Sequence, residues 1–225
     1  IKAVSILYIW ARKQGLHDGM NPTSGLRKTP PSGLVDYLSS DEVSKLLTHT
    51  RQHASAVYPM IAAAIYTGMR KGELFGLRWI DVQFERSMIH VAHSYGQTPK
   101  SGKWRPVPLH PALVPILRDW QRQCPPGSLV FPVVPARGQQ QRMGTADDMV
   151  GLEELLQAAG CHVPVRPWHA MRHTFATRLI ENGVSAIELM GLLGHASLQT
   201  TQRYVATRPD HLRSAVAANP AYGLL

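Results

Sequence analysis

The sequence predicts an α+β domain that is mainly α-helical, with a small antiparallel β-sheet near its middle. Two observations carry that reading. Apolar residues recur at helical spacing along most of the chain, as in Val43, Leu46 and Leu47 or Met171, Phe175 and Leu179. One stretch, MIHVAHS (88–94), alternates instead and is partly β-branched; it is followed by a turn at Lys100-Ser101-Gly102 and by WRPVPLH (104–110). Pro106 and Pro108 lack the N–H that a central strand needs, so the second strand is expected at an edge.

The elements follow in order. Ile1 to Gln14 is helical in composition but apolar on more than one face, and a helix that short has nowhere to bury itself alone. With Ile rather than Met at its start, residues 1–16 are expected to be the C-terminal helix of a truncated preceding domain. Residues 17–37 are rich in Gly, Pro, Ser and Thr and read as a linker. Residues 38–225 then form the main domain with its C-terminal tail. It opens on Ser39-Ser40-Asp41-Glu42, a capping-box pattern, and a second apolar helix runs to about Tyr66 and stops at Gly68. After the hairpin, Pro111–Gln123, Thr145–Ala159, His169–Glu181, Ser185–Leu193 and Leu198–Ala206 are expected as helices. The Pro-, Gly- and Gln-rich segment Cys124–Gly144 is expected as a surface loop. No internal repeat is present.

Composition narrows the function classes. The 225 residues carry 24 Lys and Arg against 15 Asp and Glu, a net charge of +9. That balance favours a polyanionic partner, a nucleic acid or an acidic membrane surface. Two cysteines, Cys124 and Cys161, make no disulfide framework and have no metal-type spacing, which suits a reducing cytosol. The longest nearly apolar run, about 56–66, is too short to span a bilayer and contains Pro59. A cytoplasmic protein is expected.

The chemistry concentrates in HAMRHTFATRLI (169–180). On a helix, His169, Arg172 and His173 share one face. Two histidines four apart can bind zinc, but the peptidase pattern needs Glu after the first, and here stands Ala170. Met171, Phe175, Leu179 and Ile180 make an apolar stripe, so His173 can equally be a packing residue. Arg172 beside that stripe needs a buried anionic partner, and a phosphate suits its planar fork. Three other stretches offer matching parts. In TGMRKGEL (67–74), Arg70 follows a Gly-ended helix and Glu73 stands one turn on, either holding the guanidinium or forming an ordinary ion pair. In TPKSGKWRPVPL (98–109), Lys100 lies at the hairpin tip, with Lys103 and Arg105 behind it. In LLGHASLQTTQRYV (192–205), His195 follows a Gly turn and Tyr204 lies nine residues on.

These four motifs, in this order, resemble the catalytic domain of the tyrosine recombinases, or phage integrases; the resemblance covers about residues 34–210. The first helix with NPTSGL (21–26) also resembles the end of that family's core-binding domain and its linker. The resemblance implies the fold of a tyrosine recombinase catalytic core and a catalytic set of Arg70, Lys100, His169, Arg172, His195 and Tyr204. Glu73 would support the first arginine and His173 would be more structural. The hairpin offers both Lys100 and Lys103; Lys100 fits the family's pattern better, although Pro99 departs from it. Lys103 and Arg105 are then candidate DNA contacts. No cofactor and no metal are implied. The implied partners are double-stranded DNA and, on paired recombination sites, three further copies in a homotetramer, with accessory DNA-bending proteins possible and no membrane.

The implied chemistry explains each residue type. Conserving phosphodiester bond energy requires a covalent intermediate, which a tyrosine can supply. A free phenol has a pKa near 10, so about one part in a thousand is ionised at neutral pH, and a base or positive field must help; His169 could supply it. Arg70, Arg172 and His195 would stabilise charge on the non-bridging oxygens, and Lys100 would protonate the departing 5′-oxygen. A type IB topoisomerase shares this transesterification. A catalytically silent DNA-binding module is a rival of another kind, since 183–205 also has a helix-turn-helix pattern.

Overall fold

The computed structural model describes residues 2–24, 26, 35–94, 104–132 and 151–205. The chain divides into two units, Ile1–Leu34 and Val35–Leu225. In the first, helix α1 (Lys2–Lys13) leaves Ile6, Leu7, Ile9 and Trp10 exposed. The turn after it folds back through Asn21 Nδ2, which donates to Ser5 Oγ (3.2 Å), and through the edge-on contact of Tyr8 with His17.

The first helix of the second unit begins where the sequence places it. Ser39 caps α2 (Ser40–His53): its Oγ accepts from Glu42 N, and the Glu42 carboxylate accepts from Ser39 N (2.8 Å). Helix α3 (Tyr58–Thr67) is buried on nearly every side and ends at Gly68, whose φ of 60° is the left-handed cap that glycine adopts without a Cβ penalty. A single-turn helix, α4 (Lys71–Phe75), follows. Strands β1 (Val82–Gln83), β2 (Met88–Val91) and β3 (Arg105–Pro108) form an antiparallel sheet in that order, with Val91 opposite Arg105 and Ile89 opposite Val107. The proline-bearing strand is at the edge, as expected. β1 was not expected, because two residues are too few to carry a period. The turn at 100–102 lies outside the described residues.

Helices α5 (Leu113–Gln123), α6 (Leu152–Ala158), α7 (Pro167–Glu181), α8 (Ala186–Leu193) and α9 (Leu198–Val205) follow, close to the expected bounds where those bounds are described. One expectation is corrected. The described part of the 124–144 segment is not a surface loop throughout, since Val130 and Phe131 are buried. Val130 N donates to Leu77 O, Trp79 N donates to Ser128 O, and Trp120 Nε1 donates to Val130 O. The apolar triplet Leu129-Val130-Phe131 was hidden by the Pro- and Gly-rich average around it.

Two apolar clusters hold the unit together. The larger joins α2, α3, the sheet, α5 and α6 through Leu46, Ile61, Ile89, Leu113 and Leu156; the smaller holds Ala176, Ile180, Leu189, Leu193 and Tyr204. Helix α7 belongs to both, giving Met171 to the first and Ala176 and Ile180 to the second. Its polar residues are thereby held at fixed depth between two packed cores.

Candidate active site

Arg172 is 6% exposed. Its Nη1 donates to Gly68 O (2.7 Å) and its Nη2 to Leu193 O (2.6 Å). The partners are thus backbone carbonyls at the ends of α3 and α8, where helix dipoles concentrate negative charge, rather than a carboxylate. Gly68 is needed twice over, for its positive φ and because a Cβ there would lie 2.3 Å from Phe175 Cδ1. Burial, then the charges of Arg70 and Arg105, lower the Arg172 pKa to about 10, which leaves it charged at neutral pH.

Arg70 precedes α4 in extended backbone, and its carboxylate partner lies one turn on. Glu73 Oε2 accepts from Arg70 N (2.8 Å) and Oε1 accepts from Arg70 Nη1 (2.9 Å). Glu73 is 1% exposed and has a second cation. Arg105 donates Nη1 to Oε1 (2.9 Å) and Nη2 to Oε2 (2.7 Å), a bidentate fork. Burial would raise the Glu73 pKa, but the hydrogen bonds and charge of Arg105, with Arg70 behind them, hold it down at about 2.

Three successive carbonyls at the end of α8 collect three arginines. Leu192 O accepts from Arg105 Nε (2.8 Å), Leu193 O from Arg172 Nη2, and Gly194 O from Arg70 Nη2 (3.0 Å). Gly194, in the left-handed region at φ 63°, makes the turn that aims the last of these. Three guanidiniums against the single Glu73 carboxylate leave excess positive charge beside an exposed edge, where Arg70 keeps 29% of its side chain accessible. A low-dielectric pocket of preoriented donors is suited to a phosphate that gains charge during reaction.

The same turn leads to the remaining groups. His195 Nδ1 is 2.8 Å from Thr201 Oγ1, itself fully buried, which fixes the ring against α9. Tyr204 is 2% exposed, and its hydroxyl lies 2.7 Å from His173 Nδ1. The His169 ring is exposed on α7, 6.5 Å from the His173 ring.

Of the residues singled out from sequence, Arg70, Glu73, His169, Arg172, His173, His195 and Tyr204 therefore gather around α7 and the α8 terminus. Lys100 and Lys103 lie outside the described residues. Arg105, expected as a DNA contact, is 7% exposed, with its guanidinium engaged on Glu73 and Leu192. Strand parity could have signalled this, because Arg105 shares a face of β3 with the buried Val107. Thr201 gave no signal of its own. Among the described residues no His, Cys, Asp and Glu group could hold a metal, and no helix is long and apolar enough to cross a membrane.

A mainly helical domain with an edge hairpin, two buried arginines and a tyrosine beside a histidine has recognised relatives. The chain belongs to the phage integrase family, whose model matches residues 36–211. It is 29% identical to tyrosine recombinase XerA of Pyrococcus furiosus over 201 residues, 88% of this chain and 68% of that protein. It is also 29% identical to tyrosine recombinase XerC of Xanthomonas campestris pv. campestris over 224 residues, 98% of this chain and 66% of that protein. The crystal structure of XerA recombinase matches with a TM-score of 0.65 at 27% identity, covering 97% of this chain and 74% of that one. The Tn1549 transposon integrase, solved with transposon right end DNA, shares the fold with a TM-score of 0.70 at 21% identity over 96% of this chain and 76% of that one. The chain spans between about half and two thirds of the length of the curated relatives it matches.

Proposed function

We propose that this chain carries the catalytic part of a site-specific DNA recombinase that integrates or excises a mobile element through a 3′-phosphotyrosyl intermediate. The observation that carries the reading is the convergence of Arg70, Arg172 and His195 on one turn of backbone, with Tyr204 held by His173 on the helix that follows. The family membership and the recombinase relatives support it.

In this reaction the Tyr204 oxygen attacks phosphorus and a P–O bond forms. The bond from phosphorus to the 5′-oxygen breaks, and that oxygen takes a proton from Lys100. The tyrosyl proton leaves through His173 or His169. Arg70 and Arg172 hold the non-bridging oxygens as charge builds, and His195 donates a further hydrogen bond. Attack by the 5′-hydroxyl of another strand reverses the step and joins new partners. Paired sites would be held by a homotetramer in the cytoplasm, with DNA-bending proteins as accessories. Residues 1–16 would be the last helix of a DNA-clamping domain and 17–37 its linker.

The test uses nicked duplexes tiled across the DNA flanking the gene. Wild-type protein should form a covalent adduct on one of them and Tyr204→Phe should form none; an adduct that survives the substitution overturns the reading. Plasmid relaxation without strand exchange between two sites would instead favour a topoisomerase activity.

A further inference from the structure

Arg105 occupies a position that the proposed chemistry leaves unexplained. It is a buried cation on an edge strand, and it turns three of its five N–H groups to protein acceptors, whereas Arg70 and Arg172 each commit two in the contacts described above. Its aliphatic stem packs on the α8 terminus so closely that a Cβ on Gly194 would meet Arg105 Cδ at 2.9 Å. One side chain thus touches the carboxylate that holds Arg70 and the backbone turn that holds Arg70 and Arg172.

We propose that Arg105 is a positioning residue that keeps Arg70 available to the phosphate. This role, which rests on the functional reading above, arises from a competition for Glu73. A buried carboxylate demands a full counter-charge. With Arg105 in place, Glu73 receives that charge through a bidentate fork and needs only one N–H from the Arg70 side chain. Without Arg105, Arg70 is the remaining cation on Glu73, and the fork closes on it instead. The guanidinium is then drawn toward the carboxylate and its charge is spent inside the protein. The Arg105 Nε bond to Leu192 O adds a second constraint, because it fixes the turn whose next two carbonyls orient Arg172 and Arg70.

This differs from a merely structural role in one measurable way: relieving the competition should restore function. Single-turnover adduct formation on the nicked duplex, at saturating DNA, should fall about a hundredfold in Arg105→Gln, with DNA affinity within about twofold of wild type. Glu73→Gln introduced into that variant should raise the rate at least about fivefold, because a neutral amide no longer claims Arg70. A double variant as slow as the single one overturns the proposal. So does a loss that disappears when DNA is saturating, which would make Arg105 a DNA contact. Should Arg105→Gln fail to fold, Arg105→Lys decides: one ammonium cannot span Leu192 O and both Glu73 oxygens, so the rate should drop about tenfold, and a rate within twofold of wild type overturns the proposal. If wild-type protein forms no adduct, the functional reading has failed, and the positioning role is judged without DNA. The Arg70 guanidinium resonances in 15N-edited NMR spectra should then shift in Arg105→Gln and return toward wild type with Glu73→Gln; unchanged resonances overturn it.

Discussion

His173 Nδ1 lies 2.7 Å from the Tyr204 hydroxyl, and the two rings are 5.5 Å apart. The pair joins the two apolar-packed helices α7 and α9 through a polar contact at the edge of the smaller core. A histidine accepting from the phenol can take its proton as the oxygen attacks. His173→Phe keeps an aromatic ring and removes this acceptor, so adduct formation should slow by about 10²-fold at pH 7. The rate measured beside His169→Ala decides between the two: a slower His169 variant would assign the proton to His169.

Arg172→Lys separates charge from geometry. A lysine keeps the cation but has no fork to reach Gly68 O and Leu193 O together. One buried carbonyl is left unpaired, which should cost about 1–3 kcal/mol of stability. Adduct formation should fall by about 10²-fold or more. Thermal denaturation and single-turnover trapping read the two effects apart, and a variant with wild-type Tm would show that the carbonyls find another donor.

Gly68→Ala tests the cap that carries one of those carbonyls. The φ of 60° and the 2.3 Å approach to Phe175 each oppose a methyl group. We expect a loss of at least about 2 kcal/mol by denaturant titration, partly recovered by Phe175→Leu, which removes the clash and leaves the strained φ. Full recovery would show that sterics alone matter.

A pH dependence is expected away from the site. His162 Nδ1 sits 2.6 Å from Glu42 Oε1 and Nε2 sits 3.0 Å from Asp36 Oδ1, joining the start of the unit to α2. The hydrogen bond that the ring donates to Glu42, then the one it donates to Asp36, raises the His162 pKa above its ordinary 6.5. A raised pKa means the charged form is favoured by folding. That stability is fully present below about pH 6.5 and is lost as pH rises through the folded-state value. The group is partly exposed, so the effect should be a few tenths of a kcal/mol. Wild-type Tm should therefore decline more than that of His162→Gln between pH 6 and 8; parallel curves would exclude the contribution.

The helices were legible because their signals are local. Ser39 with Glu42 and the stop at Gly68 fixed ends that the structure reproduces. The need of Arg172 for a partner was legible too, since a guanidinium beside Met171 and Phe175 cannot stay unpaired. What it pairs with was not. The acceptors are carbonyls 104 and 21 residues away, and a carbonyl has no letter in a sequence. The burial of Arg105 was hidden for a related reason. A basic residue behind a hairpin tip suggests a DNA contact, and only the inward parity it shares with Val107, together with Glu73 far back in the chain, reveals a buried role.

The carbonyl row at 192–194 also says how this site can vary. No substitution at Leu192 removes an oxygen from the main chain, so drift in that side chain leaves its acceptor standing, whereas Leu193 is also held by its place in the smaller core. Length is another matter. Adding or deleting one residue within Ala186–Leu193 would turn the helix end by about 100° and carry all three acceptors off their guanidiniums together. The centre is thus least tolerant of a shifted reading frame of the fold.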